Sequence, residues 1–212
     1  MKLYGYFRSS VAYRVRIALN LKGIEVEQVP VHLLKDGGQQ HKAGYLARNP
    51  QAIVPALELD DGAVLTQSLA IIEYLDTIRP VPRLIPADPT QAAKVRAVAL
   101  AIACEIHPLN NLRVLEYLKG PLHHSEDEVR QWYEHWLLKG GLEPIEEMLP
   151  GDEFCFGSAP TLADCCLIPQ LFNARRYKVS YDHLPKIVRA EASCNALSAF
   201  EAAHPSRQPD SQ

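Results

Sequence analysis

The order of apolar and polar positions changes character after the first 78 residues of the chain. Up to that point, short runs of strand or helix length are separated by turn-forming residues. In chain order they predict a strand over 2–7, a helix from Ser9 or Ser10 to Lys22, a strand over 25–33, strands over 54–59 and 63–65, and a helix over 69–78. The predicted order is βαβ, a connecting segment and ββα, and the strand–helix–strand start implies a parallel pair with a right-handed crossover.

Turn-forming and capping residues stand at the ends of these elements. Gly23 occupies the position where a helix C-cap is expected. The polar stretch over 35–40 is predicted to be a loop, and Asp61-Gly62 suits a tight hairpin turn. Ser68 is the expected cap of the second helix.

From residue 90 onward the apolar period is helical. Four stretches fit a helix, over 90–118, 126–149, 161–177 and 187–203. We expect the first to bend near Pro108 and the third to kink at Pro169. Thr161 and Asp164 have the spacing of a capping box. The second half is therefore predicted to be all-α, with a loosely ordered tail over 206–212.

A proline-rich segment separates the two patterns. Residues 79–89 read RPVPRLIPADP, and the four prolines remove backbone donors and disfavour a continuous helix or strand. We therefore predict a first domain over 1–79, a linker over 80–89 and a helical domain over 90–212. The fold class is an α/β domain followed by an all-α domain.

Composition and charge argue against several classes of protein. Hydrophobic residues make up 47% and charged residues 22% of the chain, and the formal net charge is −3 without a basic block. Binding to nucleic acid or to a membrane surface thus lacks an electrostatic basis. No run approaches the ~20 apolar residues of a membrane span, and Arg8 interrupts the apolar stretch that a secretory signal would need. We expect a cytoplasmic protein that binds neither nucleic acid nor membranes.

The cysteines and histidines predict neither disulfides nor a metal site. Five cysteines at irregular spacing do not make a disulfide framework, and small buried thiols are expected for all five. No H-x-x-x-H or C-x-x-C pair exists, so no metal is expected. The G-x-S-x-G, Walker and G-x-G-x-x-G motifs are also absent from the sequence, which argues against hydrolase and nucleotide-binding interpretations.

The run Arg8-Ser9-Ser10 lies between the first predicted strand and the first predicted helix. Ligands of parallel units commonly bind at this carboxyl edge, and the N–H groups at a helix start favour anions such as a thiolate. Two hydroxyls there could donate hydrogen bonds to a ligand sulfur and lower its pKa. The alternative, which spacing alone favours, is that one serine only caps the helix.

Two further pairs of residues in the first half suit a ligand. Gln67-Ser68 offers an amide, a hydroxyl and a helix start to a carboxylate, although capping alone is the simpler interpretation. Val54-Pro55 opens a predicted strand. A cis bond there could leave the backbone of Val54 free for an extended peptide-like ligand, and an ordinary edge-strand proline is an equal alternative.

The helical half contains two weaker candidates. His107 and Asn111 are four residues apart and are expected on one helix face. Arg175-Arg176 ends the third predicted helix, where positive charge is favourable and where guanidinium groups could clamp a carboxylate. Spacing alone leaves both interpretations open.

Taken together, these segments resemble one known family over essentially the whole chain. The domain order, the Pro-opened strand and the Gln-Ser pair are similar to cytosolic glutathione transferases. More narrowly, the chain resembles the zeta class, the maleylacetoacetate isomerase family, in the segments YFRSS, YRVRIALNLKG, NPQAIVPAL, QSLAIIEYL, IHPLNN, PTLADCCLIPQ, NARRYKV and HPSRQPD. The resemblance implies a thioredoxin-like first domain, a helical second domain and a homodimer.

The resemblance also implies roles for individual residues, with glutathione as the cofactor. Ser9 would stabilise the glutathione thiolate with Ser10 beside it, and Val54 would pair its backbone with the cysteinyl part. The other glutathione contacts would come from Gln40, Gln67, Ser68, His107 and Asn111. The substrate carboxylates would be bound by Arg8, Arg176 and, as a weaker candidate, Arg113.

The sequence departs from the zeta-class pattern at two positions. Val11 stands where the signature usually has cysteine, and Ile53 stands where glutamine is frequent. Val11 cannot donate a hydrogen bond, so any thiol-assisted role at that position is lost. These departures bear on which substrate is used.

The activity implied by the resemblance is glutathione-dependent cis–trans isomerisation of a maleyl-type keto acid, maleylacetoacetate to fumarylacetoacetate, in aromatic catabolism. Maleylpyruvate is the alternative substrate. General glutathione conjugation is a second alternative, and a non-catalytic binding module with the transferase fold is a third. The binding module would not require hydroxyl or guanidinium groups in the first loop. It is disfavoured by the joint presence of Arg8, Ser9, Ser10, Gln67, Ser68 and Arg176.

Overall fold

The computed structural model describes residues 1–211, and its contacts divide the chain into two compact units. The first unit comprises Met1–Ile85 and the chain from Asn195 onward, and the second comprises Pro86–Cys194. The predicted boundaries at 79 and 90 remain predictions. The structure groups the last segment with the first unit, whereas the sequence analysis placed it in the helical domain.

The first unit contains a four-stranded sheet with helices. Its elements are β1 (Lys2–Gly5), α1 (Ser10–Lys22), β2 (Glu27–Pro30), α2 (Ala43–Leu46), β3 (Ala56–Glu58), β4 (Val64–Thr66), α3 (Ser68–Ile78) and α10 (Ser198–Ala203). The strand order is β2-β1-β3-β4, with β1 parallel to β2 and the other neighbours antiparallel. The predicted βαβ and ββα order is therefore confirmed. The sequence analysis did not predict α2, a single turn without a side-chain cap.

The capping predictions of the first unit have different outcomes. Ser9 caps α1, since its Oγ accepts from the Ala12 N–H at 3.2 Å, and Gly23 ends the helix in the left-handed conformation. The prediction that Ser68 caps α3 is wrong. Gln67 occupies that position with a φ of 67°, no side chain caps the helix there, and Ser68 is already helical.

Helix α1 buries three cationic side chains. Arg14, Arg16 and Lys22 are 1%, 4% and 2% exposed. A buried charge is costly unless it is paired and hydrogen-bonded. Lys22 forms an ion pair with Asp76 of α3 and also donates to the carbonyl oxygen of Arg79 at 2.9 Å. The pair thus fixes the ends of α1 and α3 to each other.

The second unit is entirely helical. Its α-helices are α4 (Pro89–Leu100), α5 (Leu112–Lys119), α6 (Glu126–Glu134), α7 (Glu143–Met148), α8 (Leu162–Arg176) and α9 (Pro185–Asn195). Two π-helical segments, Ala101–Ile106 and His135–Leu142, extend α4 and join α6 to α7. The prediction of an all-α second half is confirmed for the residues that the structure describes.

Two predicted long helices are interrupted. The stretch over 90–118 does not merely bend, because it breaks after Ile106 and restarts at Leu112, where Asn111 accepts from the Arg113 N–H at 3.2 Å as a new cap. The stretch over 187–203 breaks between α9 and α10, where Leu197 is extended. A new side-chain cap at Asn111 and an extended residue at Leu197 therefore interrupt an apolar period that is otherwise continuous.

Two smaller expectations are corrected. Cys104 is exposed, while the other four cysteines are buried as predicted. Its segment buries Ile102 and Ile106, and a residue midway between them points to the opposite side of the helix. The tail is not loose over its described residues, because the amide of Gln208 donates to the carbonyl oxygen of Ala202 at 2.9 Å.

The capping box of α8 is confirmed and is completely buried. Asp164 accepts from the Thr161 N–H at 2.7 Å and from the Cys155 N–H at 2.8 Å. The Thr161 hydroxyl also donates to Asp164, at 2.8 Å. Burial raises the pKa of Asp164, and these hydrogen bonds oppose that shift. One side chain thus satisfies two buried backbone donors at the start of a helix.

We expect Asp164→Ala to lower the free energy of unfolding by at least about 2 kcal/mol, because two buried N–H groups lose their acceptor. Urea denaturation measures the loss. Asp152→Ala is the matched control, since that carboxylate accepts one N–H, from Gly157, at an exposed site, and a loss below about 1 kcal/mol is expected there. Equal losses in the two variants would contradict this account of α8.

Candidate functional site

The register of the sheet brings the candidate residues of the first unit to one edge. Gly5, the last residue of β1, is paired with Pro30 at the end of β2. Ala56, the first residue of β3, lies opposite Tyr4 of β1 and Thr66 of β4. This edge is therefore formed by the carboxyl ends of β1, β2 and β4 and by the amino end of β3.

Each candidate of this unit lies just beyond that edge along the chain. Residues 8–10 follow β1, Gln40 lies in the short 3₁₀ helix Gln39–His41 after β2, Val54 is two residues before the start of β3, and Gln67 and Ser68 follow β4. Ligands of open α/β sheets bind at the carboxyl ends of strands. The sheet topology thus places in one region the residues that sequence spacing left as separate weak signals.

The side chain of Ser9 can serve both roles that the sequence left open. Its oxygen accepts from Ala12 as the cap of α1. Accepting that bond uses a lone pair and leaves the hydroxyl proton available, because a hydroxyl has one donor and two acceptor positions. No described residue accepts a hydrogen bond from the Ser9 hydroxyl. Ser10, in contrast, is 3% exposed at the first position of the helix.

The guanidinium of Arg8 is exposed but held in place. Its Nε and Nη2 donate to the hydroxyl oxygen of Tyr6 at 3.2 and 3.0 Å. The same group lies over the rings of Tyr6 and Phe7, at 5.7 and 5.3 Å from their centroids. Tyr6 is 4% exposed, so a buried ring orients a surface cation.

The backbone of Val54 is available for pairing. The Val54–Pro55 peptide bond is cis, and within residues 1–211 no turn or loop hydrogen bond involves the N–H or C=O of Val54. The preceding carbonyl oxygen, of Ile53, accepts from the Tyr45 hydroxyl at 2.6 Å and from the Asn49 amide at 2.7 Å. Burial raises the pKa of Tyr45 to about 12, so it remains a donor at neutral pH.

The start of α3 adjoins a buried cation. Nη1 of Arg14 lies 3.4 Å from Oγ of Ser68, and Ser68 is 3% exposed. Gln67 is exposed and donates its amide to Gln51 at 2.8 Å. A helix N-terminus with a cation beneath it favours an anion such as a carboxylate.

Gln40 contributes a buried polar group to the same region. Its Nε2 donates to the carbonyl oxygen of Leu33 at 3.3 Å, and its side chain is almost fully buried. Its Oε1 is also buried, and no described residue donates to it. An unpaired buried acceptor of this kind is costly in a folded protein unless a ligand or water donates to it.

The two candidates at the start of α5 contact each other in the second unit. The amide nitrogen of Asn111 lies 3.2 Å from Nε2 of His107. The expectation of one shared helix face is wrong, because the helix ends before Asn111. The two side chains meet across a turn, and Asn111 still caps α5 while its amide faces the imidazole.

Arg176 belongs to an aromatic stack in the second unit. Its guanidinium lies over the ring of Tyr177, 4.9 Å from the centroid, and Tyr177 stacks on Tyr133 at 3.8 Å. The Tyr133 carbonyl oxygen accepts from Asn110 at 3.2 Å, which links this stack to the turn with His107. Arg175 instead pairs with Glu191 at 2.7 Å. Arg113 is exposed in the first turn of α5.

Sequence reasoning missed the residues that support this site. Arg14 was the detectable one, as a cation placed between the apolar positions of α1. Tyr45 and Asn49 hold the Ile53 carbonyl from the connecting segment, which gave no pattern of its own.

Residues 1–211 contain no group of three or more His, Cys, Asp or Glu side chains that could hold a metal ion. In the same range no helix combines the length and apolarity needed to cross a membrane.

The chain matches two family descriptions along its length. The glutathione S-transferase N-terminal domain matches residues 3–83, and the glutathione S-transferase C-terminal domain matches residues 126–204. A maleylacetoacetate isomerase from Pseudomonas aeruginosa is 48% identical over 210 residues, which cover 99% of this chain and 98% of that protein.

Solved structures show the same relationship. A holo maleylpyruvate isomerase, a bacterial glutathione S-transferase of the zeta class, superposes with a TM-score of 0.95 at 44% identity, with full coverage of both chains. A maleylacetoacetate isomerase from Methylobacterium extorquens AM1 with bound malonate and glutathione gives a TM-score of 0.94 at 39% identity, again with both chains fully covered. The chain therefore belongs to the glutathione S-transferase family, in its zeta class of maleylacetoacetate and maleylpyruvate isomerases.

Proposed function

We propose that this protein catalyses the glutathione-dependent cis–trans isomerisation of maleylacetoacetate to fumarylacetoacetate. The observation that carries the proposal is the geometry of Ser9. Its oxygen caps α1, while its hydroxyl proton remains available at the edge of the sheet formed by the carboxyl ends of β1, β2 and β4. A hydroxyl donor and a helix N-terminus both stabilise a thiolate. Relatives with the same fold contain bound glutathione, and one also holds the dicarboxylate malonate.

The residues at the edge of the sheet fit a tripeptide such as glutathione. The free N–H and C=O of Val54 suit the backbone of an extended peptide. The start of α3, with Gln67, Ser68 and the buried Arg14, suits the γ-glutamyl carboxylate. The unpaired Oε1 of Gln40 suits an N–H donor of the tripeptide. His107 and Asn111 are proposed as further contacts from the second unit.

When bound, glutathione supplies a thiolate that adds to the cis double bond and leaves again after rotation about the resulting single bond. Ser9 donates a hydrogen bond to the sulfur and keeps it ionised, with Ser10 beside it. Arg8 and Arg176 bind the carboxylates of the substrate and stabilise the negative charge that develops on the adjacent carbonyl, and fixed cations help most where charge develops. Arg8 is suited to this because the Tyr6 hydroxyl holds its exposed guanidinium in place.

Maleylpyruvate is the second candidate substrate. Arg113 is the observation that favours it, as an additional exposed cation two residues from Asn111 on α5. Maleylpyruvate carries its second carboxylate closer to the double bond than maleylacetoacetate does. An extra cation near that end would favour the shorter substrate.

The remaining parts of the proposal rest on family resemblance. We infer a homodimer that works in the cytoplasm, in the breakdown of tyrosine and related aromatic compounds. General glutathione transfer to other electrophiles would use the same thiolate. Leu34 and Val81 of the first unit, 53% and 76% exposed, are apolar groups that an interface could cover.

The first prediction from this proposal concerns the cofactor. The protein is expected to isomerise maleylacetoacetate only when glutathione is present, without consuming it, because the sulfur is released in each turnover. The measurement is the rate of product formation with and without glutathione, together with the thiol concentration before and after. Turnover independent of glutathione would overturn the proposed function.

The second prediction separates the two roles of Ser9. Ser9→Ala is expected to lower kcat by about a hundredfold, because the glutathione thiolate loses one preorganised hydrogen-bond donor. Loss of the cap alone costs about 0.5–2 kcal/mol of stability. Ser9→Thr keeps both the hydroxyl and the cap and is expected to retain most activity.

Ser125→Ala is the matched control for Ser9→Ala. Ser125 caps α6, with its Oγ accepting from the Glu128 N–H at 3.3 Å, and it has no proposed role in the site. It is expected to lose a similar amount of stability, by urea denaturation, with kcat unchanged. If Ser9→Ala behaves like Ser125→Ala, then Ser9 is only a cap.

The third prediction concerns substrate choice. Arg113→Ala is expected to lower kcat/KM for maleylpyruvate more than for maleylacetoacetate, because the shorter substrate places its carboxylate nearer to this cation. Steady-state kinetics with both substrates measure the ratio in the variant and the wild type. An unchanged ratio would remove Arg113 from the set of substrate-binding residues.

A further inference from the structure

The loop that carries the proposed catalytic residues is fixed through the backbone N–H and C=O of Phe7. We call residues 6–9 the serine loop. The Phe7 N–H donates to Oδ2 of Asp210 at 3.0 Å, and the Phe7 carbonyl oxygen accepts from Nη2 of Arg16 at 3.0 Å. Within the loop, the Ser9 N–H donates to the carbonyl oxygen of Tyr6 at 2.9 Å. The residue before Arg8 is therefore held from both sides by charged groups.

Arg16 connects the serine loop to the C-terminal segment. Its side chain is 4% exposed, and its Nε donates to the carbonyl oxygen of Ala203 at 3.1 Å. Burial lowers the pKa of Arg16 to about 10, while Asp210 and Tyr13 oppose that shift. At neutral pH the guanidinium of Arg16 therefore stays positive.

The C-terminal segment is ordered in a way that presents Asp210. The amide of Gln208 donates to the carbonyl oxygens of Ala202 and His204, both at 2.9 Å. The Ser211 N–H donates to the carbonyl oxygen of Gln208 at 3.0 Å. These hydrogen bonds fix the backbone on both sides of Asp210, so its carboxylate is held at hydrogen-bond distance from the Phe7 N–H.

We propose that Asp210 is a positioning residue for the glutathione site, acting through the Phe7 N–H on the placement of Ser9 and Arg8. The inference rests on the proposed function of Ser9. The hydroxyl of Ser9 stabilises a thiolate only at hydrogen-bond distance, and Ser9 is two residues from the Phe7 amide. Charged hydrogen bonds are the strong ones, so the carboxylate holds the loop more firmly than a neutral acceptor would.

Three variants at two neighbouring positions test this role. Asp210→Ala removes the acceptor, Asp210→Asn keeps an acceptor oxygen without the charge, and Ser211→Ala changes the adjacent residue of the same tail. Two measurements are made for each variant. The first is amide hydrogen exchange of the segment over 6–10 in the ligand-free protein, and the second is the pKa of the glutathione thiol in the binary complex, followed by thiolate absorbance.

In Asp210→Ala we expect the Phe7 amide hydrogen to exchange faster and the pKa of the bound glutathione thiol to rise. We also expect kcat to fall about tenfold to a hundredfold, because displaced catalytic groups lower the rate by such factors. Asp210→Asn is expected to recover most of the exchange protection and part of the rate. Ser211→Ala is expected to match the wild type in both measurements and in kcat.

The outcomes distinguish this inference from the proposed function. If Asp210→Ala loses thermal stability but matches Ser211→Ala in Phe7 exchange and thiol pKa, then Asp210 only anchors the tail and the inference is wrong. If the wild type shows no glutathione-dependent isomerisation, the proposed function fails, while the exchange measurement still decides whether Asp210 holds the serine loop. Faster exchange with an unchanged thiol pKa would also overturn the positioning role.

Discussion

The first unit depends on one constraint, the burial of three cations along a single helix. Arg14, Arg16 and Lys22 all lie inside the unit on α1, and each needs a hydrogen-bonding partner to offset the cost of leaving water. Their partners are on different segments. Arg14 reaches the start of α3, Arg16 reaches Phe7 and α10, and Lys22 reaches the end of α3.

These contacts explain why the proposed site has a defined shape although its strands are only three or four residues long. The sheet supplies the common edge, and the cations of α1 fix the segments that leave this edge. The loop after β1 is held through Arg16, and the helix after β4 is held through Arg14. Stability and ligand geometry therefore depend on the same side chains in this unit.

Much of this arrangement follows from the sequence. The strand and helix order, the hairpin at Asp61-Gly62 and the capping box at Thr161 are local patterns, and local patterns are readable without a structure. The breaks at Asn111 and Leu197 were missed because a polar cap and an extended residue interrupt an apolar period that continues on both sides. Asp210 was assigned to a loose tail because its partner, the Phe7 N–H, is 203 residues away and leaves no sequence signal.

Part of the proposed binding surface is made of main-chain groups, and this affects how the sequence can drift. The N–H and C=O of Val54 belong to this surface, and Tyr45 and Asn49 hold the preceding carbonyl oxygen, that of Ile53. Isoleucine in place of glutamine at position 53 leaves these main-chain hydrogen bonds intact. The shape of such a surface depends on the residues that fix the backbone rather than on the side chains of the residues that face the ligand. A different side chain at position 53 therefore costs this surface nothing, whereas a change at Tyr45 or Asn49 removes a hydrogen bond that fixes its backbone.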